Sequence, residues 1–216
     1  MRYFRVLAFL LLFAPAAFAA DLRQLVQAVD RHYNALRSMR ADFTESYSGN
    51  GIERTESGVL LLKKPGKMRW DYEQPRQKLF VTNGKTAWFY VPSERQGRKA
   101  QVKELSDLRS PLRYLLGKTR LGKELTGLSL APDVAPLEAG NTVLRGVPKG
   151  MEDRVSDVVM EVTPEGRIVR LVIHEVDGAT TDFRFRNLVD NPSLADAQFQ
   201  FTPPPGVEMV EGAVSF

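Results

Sequence analysis

The chain has 216 residues, no cysteine, and 30 basic against 26 acidic side chains. The absence of cysteine excludes disulfides, thiolate metal sites, a cysteine nucleophile and a lipid anchor on an N-terminal cysteine. The net charge is small, and no dense basic cluster with interleaved aromatic residues occurs in the sequence, which argues against nucleic-acid binding.

Residues 1–19 have the pattern of a secretory signal peptide. Arg2 and Arg5 precede an unbroken apolar run over residues 6–13, which is too short to cross a bilayer. Ala17-Phe18-Ala19 is a typical cleavage site, so the mature chain is expected to begin at Ala20. An uncleaved anchor is the alternative. Residues 20–216 are expected to form a single exported domain with one core.

The first predicted element of the mature chain is an amphipathic helix over residues 21–37. Asp21 suits the N-cap position. Apolar residues recur behind it at helical spacing, namely Leu22, Leu25, Val26, Val29, Tyr33 and Leu36. This pattern is typical of a helix packed on a core, and a lid over a cavity would need the same stripe.

From Met39 the apolar period changes to two, which predicts a series of strands. The expected strands cover residues 39–47, 54–63, 67–72, 78–82 and 86–91. Turn residues separate them, and Asn83-Gly84 is predicted to form a type I′ hairpin turn. Such short links indicate antiparallel neighbours rather than parallel βαβ units.

The strands between Gly58 and Tyr90 are apolar on both faces. Their large apolar residues stand side by side, in Leu60-Leu61, Leu79-Phe80 and Trp88-Phe89-Tyr90. A strand on a one-sided sheet alternates apolar and polar residues instead. The segment therefore predicts two apolar environments, of which one is the core and the other a second layer, a lid or an apolar ligand.

The rest of the chain adds a helix and further strands. Residues 94–103 are polar and predicted to be a mobile loop, and residues 106–117 a short helix with Leu108, Leu112, Leu115 and Leu116 on its apolar side. Residues 119–139 give no clear pattern. Strands are expected over 141–148, 154–163, 168–176 and 180–188, with a last one at 198–201. Together, the predicted helices and strands indicate a mainly β (α+β) fold with helices on one side of an antiparallel sheet.

No catalytic or metal-binding motif stands out in the sequence. His32 and His174 lack a second histidine at ligand spacing, and His32 is expected to be solvated. Gly84-Lys85-Thr86 lacks the first glycine of a phosphate-binding loop, because Leu79 stands there. The acidic residues, Glu45 and Glu53 among them, are interpreted as solvated charge. We therefore expect a binding module rather than an enzyme, without metal or cofactor.

Three segments resemble the LolA family of periplasmic lipoprotein carriers. They are residues 58–72, with Gly-Val-Leu-Leu-Leu-Lys-Lys-Pro and Met-Arg-Trp-Asp-Tyr, residues 81–90 and residues 199–207. The resemblance implies an incomplete antiparallel β-barrel with an α-helical lid over a hydrophobic cavity. It also implies acylated lipoproteins as cargo, an inner-membrane ABC transporter of the Lol type as donor and an outer-membrane receptor as acceptor. We expect a monomer in the periplasm.

The resemblance also suggests site residues. The expected cavity and lid contacts are Val29, Tyr33, Met68, Trp70, Leu112, Leu115 and Leu116. In the family, a basic residue before the proline of the Lys-Lys-Pro turn, typically arginine, hydrogen-bonds lid carbonyls and holds the lid closed. Lys64 stands at that position here, the corresponding lid segment is residues 112–116, and Arg69 is a second candidate for the latch.

Two other kinds of binding protein and one enzyme remain as alternatives at the level of sequence. The same fold can serve a carrier of another lipid or glycolipid. An interaction domain that senses acyl chains is a second alternative, and it usually needs a further domain. An exported hydrolase would need a nucleophile–base pair, and no such pair is evident in the sequence.

Overall fold

The computed structural model describes residues 15–102 and 120–212. Helix α1 spans Pro15–Ala35 and helix α2 spans Leu121–Glu124. The strands are β1 Ser38–Gly49, β2 Ile52–Lys63, β3 Lys67–Gln74, β4 Lys78–Asn83, β5 Thr86–Val91, β6 Gln96–Gln101, β7 Leu125–Leu130, β8 Thr142–Pro148, β9 Val155–Val162, β10 Ile168–Glu175, β11 Thr180–Asp190 and β12 Glu208–Glu211.

All of these strands belong to one sheet, in the order β12-β6-β5-β4-β3-β2-β1-β11-β10-β9-β8-β7. Neighbouring strands are antiparallel except for β12, which pairs with β6 in parallel. The sheet is open, since β12 and β7 lie at its two edges. The prediction of a mainly β fold built on an incomplete antiparallel barrel is confirmed.

Several element boundaries differ from the predictions. Helix α1 begins at Pro15 and ends at Ala35 rather than covering residues 21–37, and the expected cleavage point before Ala20 falls within it. The segment predicted as a mobile loop over 94–103 contains strand β6, and β12 was not predicted. The strand predicted at 198–201 is wrong, because Asp196–Phe199 form a 3-10 helix. The helix predicted over 106–117 lies outside the described residues.

The β4–β5 turn is also shifted by one residue from the prediction. Asn83 is the last residue of β4, so the turn consists of Gly84 and Lys85, and Gly84 has a φ of +90°. The side-chain oxygen of Asn83 accepts hydrogen bonds from the backbone N–H groups of Lys85 and Thr86, at 3.0 and 2.9 Å. Asn83 therefore supports the turn from its first position. A type I′ turn needs a positive φ at both central residues, and Lys85 does not have one, so the expected type I′ arrangement is wrong.

The sheet has two apolar faces, as the strands from β2 to β5 require. The inner face lies under α1 and belongs to the main core, to which these strands and β1 contribute Met39, Ala41, Phe43, Leu60, Leu62, Met68, Trp70, Tyr72, Phe80 and Ala87. The outer face has a separate cluster in which Phe199 packs on Leu61 and Val81, with Val59, Leu79, Trp88, Leu194 and Phe201 around them. Residues 194–201 thus cover the outer face.

Charged side chains of the sheet hold this outer cover in place. Lys63 donates from Nζ to the Leu194 carbonyl and to Asp196, both at 2.6 Å, and Lys67 Nζ lies 2.7 Å from the same carboxylate. The hydrogen bonds from the two lysines lower the pKa of Asp196 to about 2. Arg69 adds a bond of 3.0 Å to the Gln198 carbonyl.

Candidate functional site

The inner face of the sheet is centred on a cluster of buried aromatic side chains. The ring of Trp70 lies 4.7 Å from that of Phe43 and 5.7 Å from that of Phe183, measured between ring centroids. Tyr72 packs edge-on against Phe43 at 5.0 Å. Trp70 is fully buried, and its indole nitrogen lies 2.7 Å from the sulfur of Met68. β3 supplies Met68, Trp70 and Tyr72 to this face at every second residue, because alternate side chains share a face.

Helix α1 covers this inner face with the stripe that the sequence predicted. Val29 and Tyr33 are fully buried against the sheet. The hydroxyl oxygen of Tyr33 accepts a hydrogen bond of 3.1 Å from the backbone N–H of Ile168, and burial raises the pKa of this phenol. Gly166, in the β9–β10 turn with a φ of +87°, allows the turn to touch the backbone of the helix near Ala28.

Four of the predicted cavity residues therefore meet in one apolar cluster. Val29 and Tyr33 reach it from the helix, whereas Met68 and Trp70 reach it from β3. The three predicted lid leucines, Leu112, Leu115 and Leu116, lie outside the described residues.

Lys64 connects the β2–β3 turn to the last turn of α1. Its side-chain ammonium donates a hydrogen bond to the backbone carbonyl of Tyr33, and its backbone N–H donates to the carbonyl of Arg37 at 2.8 Å. A cation at a helix C-terminus satisfies carbonyls that have no partner within the helix. Partial burial at this contact lowers the pKa of Lys64. The predicted partner segment, residues 112–116, lies outside the described residues.

Arg69 has its contacts on the opposite face of the sheet. Its guanidinium forms a bidentate ion pair with the Asp71 carboxylate, with hydrogen bonds of 2.7 and 2.8 Å. It also donates to the Gln198 carbonyl. Within residues 15–102 and 120–212 these contacts connect Arg69 to the outer cover rather than to α1. Of the two predicted latch residues, Lys64 is therefore the one that contacts α1 among the described residues.

Sequence reasoning missed a charged cluster at the far end of the inner face. We use this term for Glu45, Arg54, Glu56, Tyr72 and Lys78. Both carboxylates are buried, with 5% of each residue exposed, and they lie directly opposite each other on β1 and β2. Glu56 is 2.6 Å from the Lys78 ammonium and 2.9 Å from the Arg54 guanidinium. Tyr72 donates to Glu45 at 2.9 Å.

The electrostatics of this cluster oppose the charge on Glu45. Burial raises the pKa of Glu45, the hydrogen bond from Tyr72 lowers it, and the neighbouring Glu56 carboxylate raises it further. The expectation that Glu45 is solvated is wrong. A signal was present in the sequence, since Glu45 continues the alternation that places Phe43 on the inner face.

The expectation that His32 is solvated is also wrong. The side chain of His32 is only 12% exposed, and its Nε2 lies 3.8 Å from the Asp190 carboxylate. Burial lowers the pKa of this imidazole.

Among the described residues, no group of three or more His, Asp or Glu side chains is arranged to hold a metal ion. In the same part of the chain, no helix has the length and apolar content that a membrane span requires.

Comparison with known proteins gives the chain its family. The family model described as outer membrane lipoprotein carrier protein LolA matches residues 34–202. The chain belongs to this family. It is 29% identical to the outer-membrane lipoprotein carrier protein of Nitrosospira multiformis, with 96% of each chain covered. It is 30% identical to that of Azotobacter vinelandii, over 98% of this chain and 100% of the relative.

The open sheet of this LolA family member is similar to that of a solved structure. An uncharacterized conserved protein from Thermus thermophilus superposes with a TM-score of 0.57 at 13% identity, covering 89% of this chain and 99% of that protein. At this identity the likeness concerns the fold alone. It supports the open sheet as the frame that places α1 over the inner face.

The contact of Lys64 with α1 gives a first prediction. Lys64→Met removes the ammonium that binds the Tyr33 carbonyl, so the last turn of α1 should open more often. We expect faster amide hydrogen exchange in residues 29–37, with the free energy of unfolding reduced by no more than about 1 kcal/mol, the worth of one hydrogen bond. Hydrogen exchange by mass spectrometry and urea unfolding provide the two measurements.

Lys85→Met is the matched control, because Lys85 is exposed in the neighbouring β4–β5 turn. It should leave the exchange of residues 29–37 unchanged. A large loss of stability in Lys64→Met would instead make Lys64 a structural residue, and unchanged exchange would show that it does not hold the helix.

The raised pKa of Glu45 gives a second prediction. A carboxyl group whose pKa is higher in the folded state destabilises that state above its ordinary pKa of 4.5. Glu45→Gln removes this cost and retains an oxygen that can accept the Tyr72 hydrogen bond. We expect a higher Tm than wild type at pH 7, and a difference that shrinks as the pH falls towards 4.5.

Thermal unfolding monitored by circular dichroism between pH 4 and pH 8 measures this dependence. Glu53→Gln is the control, because Glu53 is exposed on the same strand as Glu56. A lower Tm for Glu45→Gln at pH 7 would mean that the Glu45 carboxylate stabilises the folded protein through Arg54 and Lys78.

Proposed function

We propose that this protein is an exported periplasmic carrier that holds the acyl chains of lipoproteins between α1 and the inner face of the sheet. The family assignment and the names of its relatives support a carrier of outer-membrane lipoproteins. The same assignment supports a binding protein rather than an enzyme.

The observation that carries the proposal is the unequal covering of the two apolar faces. The outer face of β2–β5 is covered in part by residues 194–201, which are fastened by Lys63, Lys67 and Arg69. An open pocket of about 910 Å³ remains between this cover and the sheet. The inner face is closed by a helix, and a helix can swing away without unpairing any strand. Displacement of α1 would open a wall that contains Met68 and Trp70.

An acyl chain offers a suitable replacement for the helix. Each buried methylene contributes about 0.8 kcal/mol, so roughly ten methylenes return about 8 kcal/mol. Apolar side chains of α1 lose burial when the helix moves, so the two terms oppose each other and the net affinity stays moderate. A carrier needs such a balance, because it has to accept its cargo and then release it.

Transfer partners follow from the same proposal. We expect the cargo to arrive from an inner-membrane ABC transporter of the Lol type and to leave to an outer-membrane receptor, with the protein acting as a monomer. In this scheme Lys64 is the latch, and Lys64→Met should hasten cargo release. Lysine is a flexible point donor, whereas the arginine typical of the family is a rigid fork, so this latch is the weaker of the two.

Native mass spectrometry of the protein isolated from the periplasm tests the proposal. The expected spectrum contains the protein together with masses of lipoproteins or their acylated fragments. Leu60→Asn and Leu61→Asn are a matched pair, because these adjacent leucines are both buried, Leu60 on the inner face and Leu61 on the outer face. Cargo should be lost from Leu60→Asn and retained by Leu61→Asn.

Equal loss of cargo from both variants at temperatures where both are folded would contradict the assignment of the inner face. A protein that carries no acylated cargo, in cells whose lipoproteins still reach the outer membrane after its depletion, would contradict the proposed function. Bound glycolipid in place of lipoprotein would identify a carrier of another lipid.

A further inference from the structure

A polar cavity of about 480 Å³ lies at the end of the inner face that carries the charged cluster. Arg54 from β2, Lys78 from β4 and Arg98 from β6 contribute to its wall, together with the ring of Phe89 from β5. Three cationic side chains from three different strands therefore converge on one space. The apolar carrier site of the proposed function does not account for this arrangement.

Most of the acidic groups around the cavity already have a cationic partner outside its floor. Glu94 at the rim is 2.9 Å from Arg76, and Glu211 is 3.3 Å from Lys99. Both pairs are largely exposed. Because the two charges of each pair neutralise each other at the rim, they contribute little to the electrostatic potential inside the cavity.

The floor of the cavity carries more positive than negative charge. Glu56 is shared between Arg54 and Lys78, so one carboxylate serves two cations. Glu45 is farther away, at 3.7 Å from Arg54, and its environment disfavours its ionised form. Lys78 is nearly buried, with 9% of its side chain exposed, and a buried cation interacts more strongly with an anion than a solvated one does.

The cavity borders the apolar inner face. Phe89 lines the cavity and also packs against the main core. Tyr72 marks the boundary, since its ring belongs to the aromatic cluster and its hydroxyl binds Glu45. The Lys78 ammonium lies over the same ring, 4.3 Å from its centroid. A ligand lying along the inner face would thus pass from aromatic side chains directly to cations.

We infer that this cavity binds the anionic head group of an amphiphile, a phosphate or a carboxylate, whose alkyl chain occupies the inner face. Arg54 and Arg98 would donate hydrogen bonds to the anion, since a guanidinium matches the geometry of both groups. The inference rests on the proposed function, because the chain is placed where acyl chains are proposed to bind. It adds a second requirement, that the head group is recognised by charge.

Binding of dodecyl phosphate and of 1-monododecanoylglycerol, measured by isothermal titration calorimetry on the full mature chain, tests the inference. Both probes carry a chain of twelve carbons, and only the first carries an anion. Wild type should bind dodecyl phosphate more tightly. Arg98→Gln should weaken dodecyl phosphate about tenfold, the effect of one charge-assisted hydrogen bond, and leave the glycerol probe unchanged.

Arg98 is exposed on β6, and a thermal melt of Arg98→Gln should show that the variant is folded. Lys78→Gln should weaken the same probe further, with a thermal melt to show that the variant is folded. Lys85→Gln is the control of equal charge change at the opposite end of the sheet, and it should bind both probes as wild type does.

The outcomes separate the two proposals. If both probes bind equally well to wild type and to Arg98→Gln, the head-group inference is wrong and the carrier function stands. If neither probe binds, the carrier function fails and this inference fails with it. If inorganic phosphate alone binds as tightly as dodecyl phosphate with the same sensitivity to Arg98→Gln, the cavity is an ion site without a link to the chain, and the inference is overturned.

Discussion

The structure depends on one constraint, that strands β2 to β5 are apolar on both faces and both faces must be kept from water. Apolar burial stabilises a protein by about 25 cal/mol per Å², so neither face can be left open without a large loss. The chain satisfies the two faces by different means. Residues 194–201 lie on the outer face as a strap with Phe199 at its centre, and α1 lies across the inner face.

The two covers differ in how they are fastened. The outer strap is held by lysine and arginine side chains that reach its carbonyls and the Asp196 carboxylate. The inner helix is held by buried apolar contacts and by polar ties at Asp30, Tyr33 and Lys64, with a close approach at Gly166. A helix can be exchanged for another apolar body without loss of strand pairing, and this difference supports the proposal that acyl chains bind the inner face.

The inner face is itself divided along its length. At the end near Lys64 it is mainly apolar, with Thr82 as a buried polar residue, and at the other end the charged cluster replaces apolar side chains. The two buried carboxylates of this cluster are compensated by Arg54, Lys78 and Tyr72, and the proposed head-group site lies beside its cations.

Much of the fold could be predicted from the sequence because the hairpins are local. The apolar repeat and the turn residues place β1 to β5 and β8 to β11 within a few residues of their observed bounds. Strand β6 was missed because its buried residues, Gly97 and Ala100, are too small to produce an apolar alternation. Residues 198–201 have the alternation of a strand, yet they only pack on the outer face of the sheet, through the buried Phe199 and the partly buried Phe201.

The candidate site was predictable where it follows from one element and unpredictable where it depends on pairing between elements. Val29, Tyr33, Met68 and Trp70 follow from helical or alternating patterns within single segments. The charged cluster requires the register of β1 on β2, which places Glu45 opposite Glu56. The partner of Lys64 in α1 also depends on how distant segments pack, and no local pattern contains that information.

The two tryptophans of the chain allow the central claim, that acyl chains bind the inner face, to be measured directly. Trp70 lies in the inner core and Trp88 in the outer cluster. Trp88→Phe and Trp70→Phe each leave one reporter, whose fluorescence can be followed during titration with a lipopeptide that carries brominated acyl chains. The account predicts quenching of Trp70 and little quenching of Trp88. Quenching of Trp88 with Trp70 unaffected would contradict it.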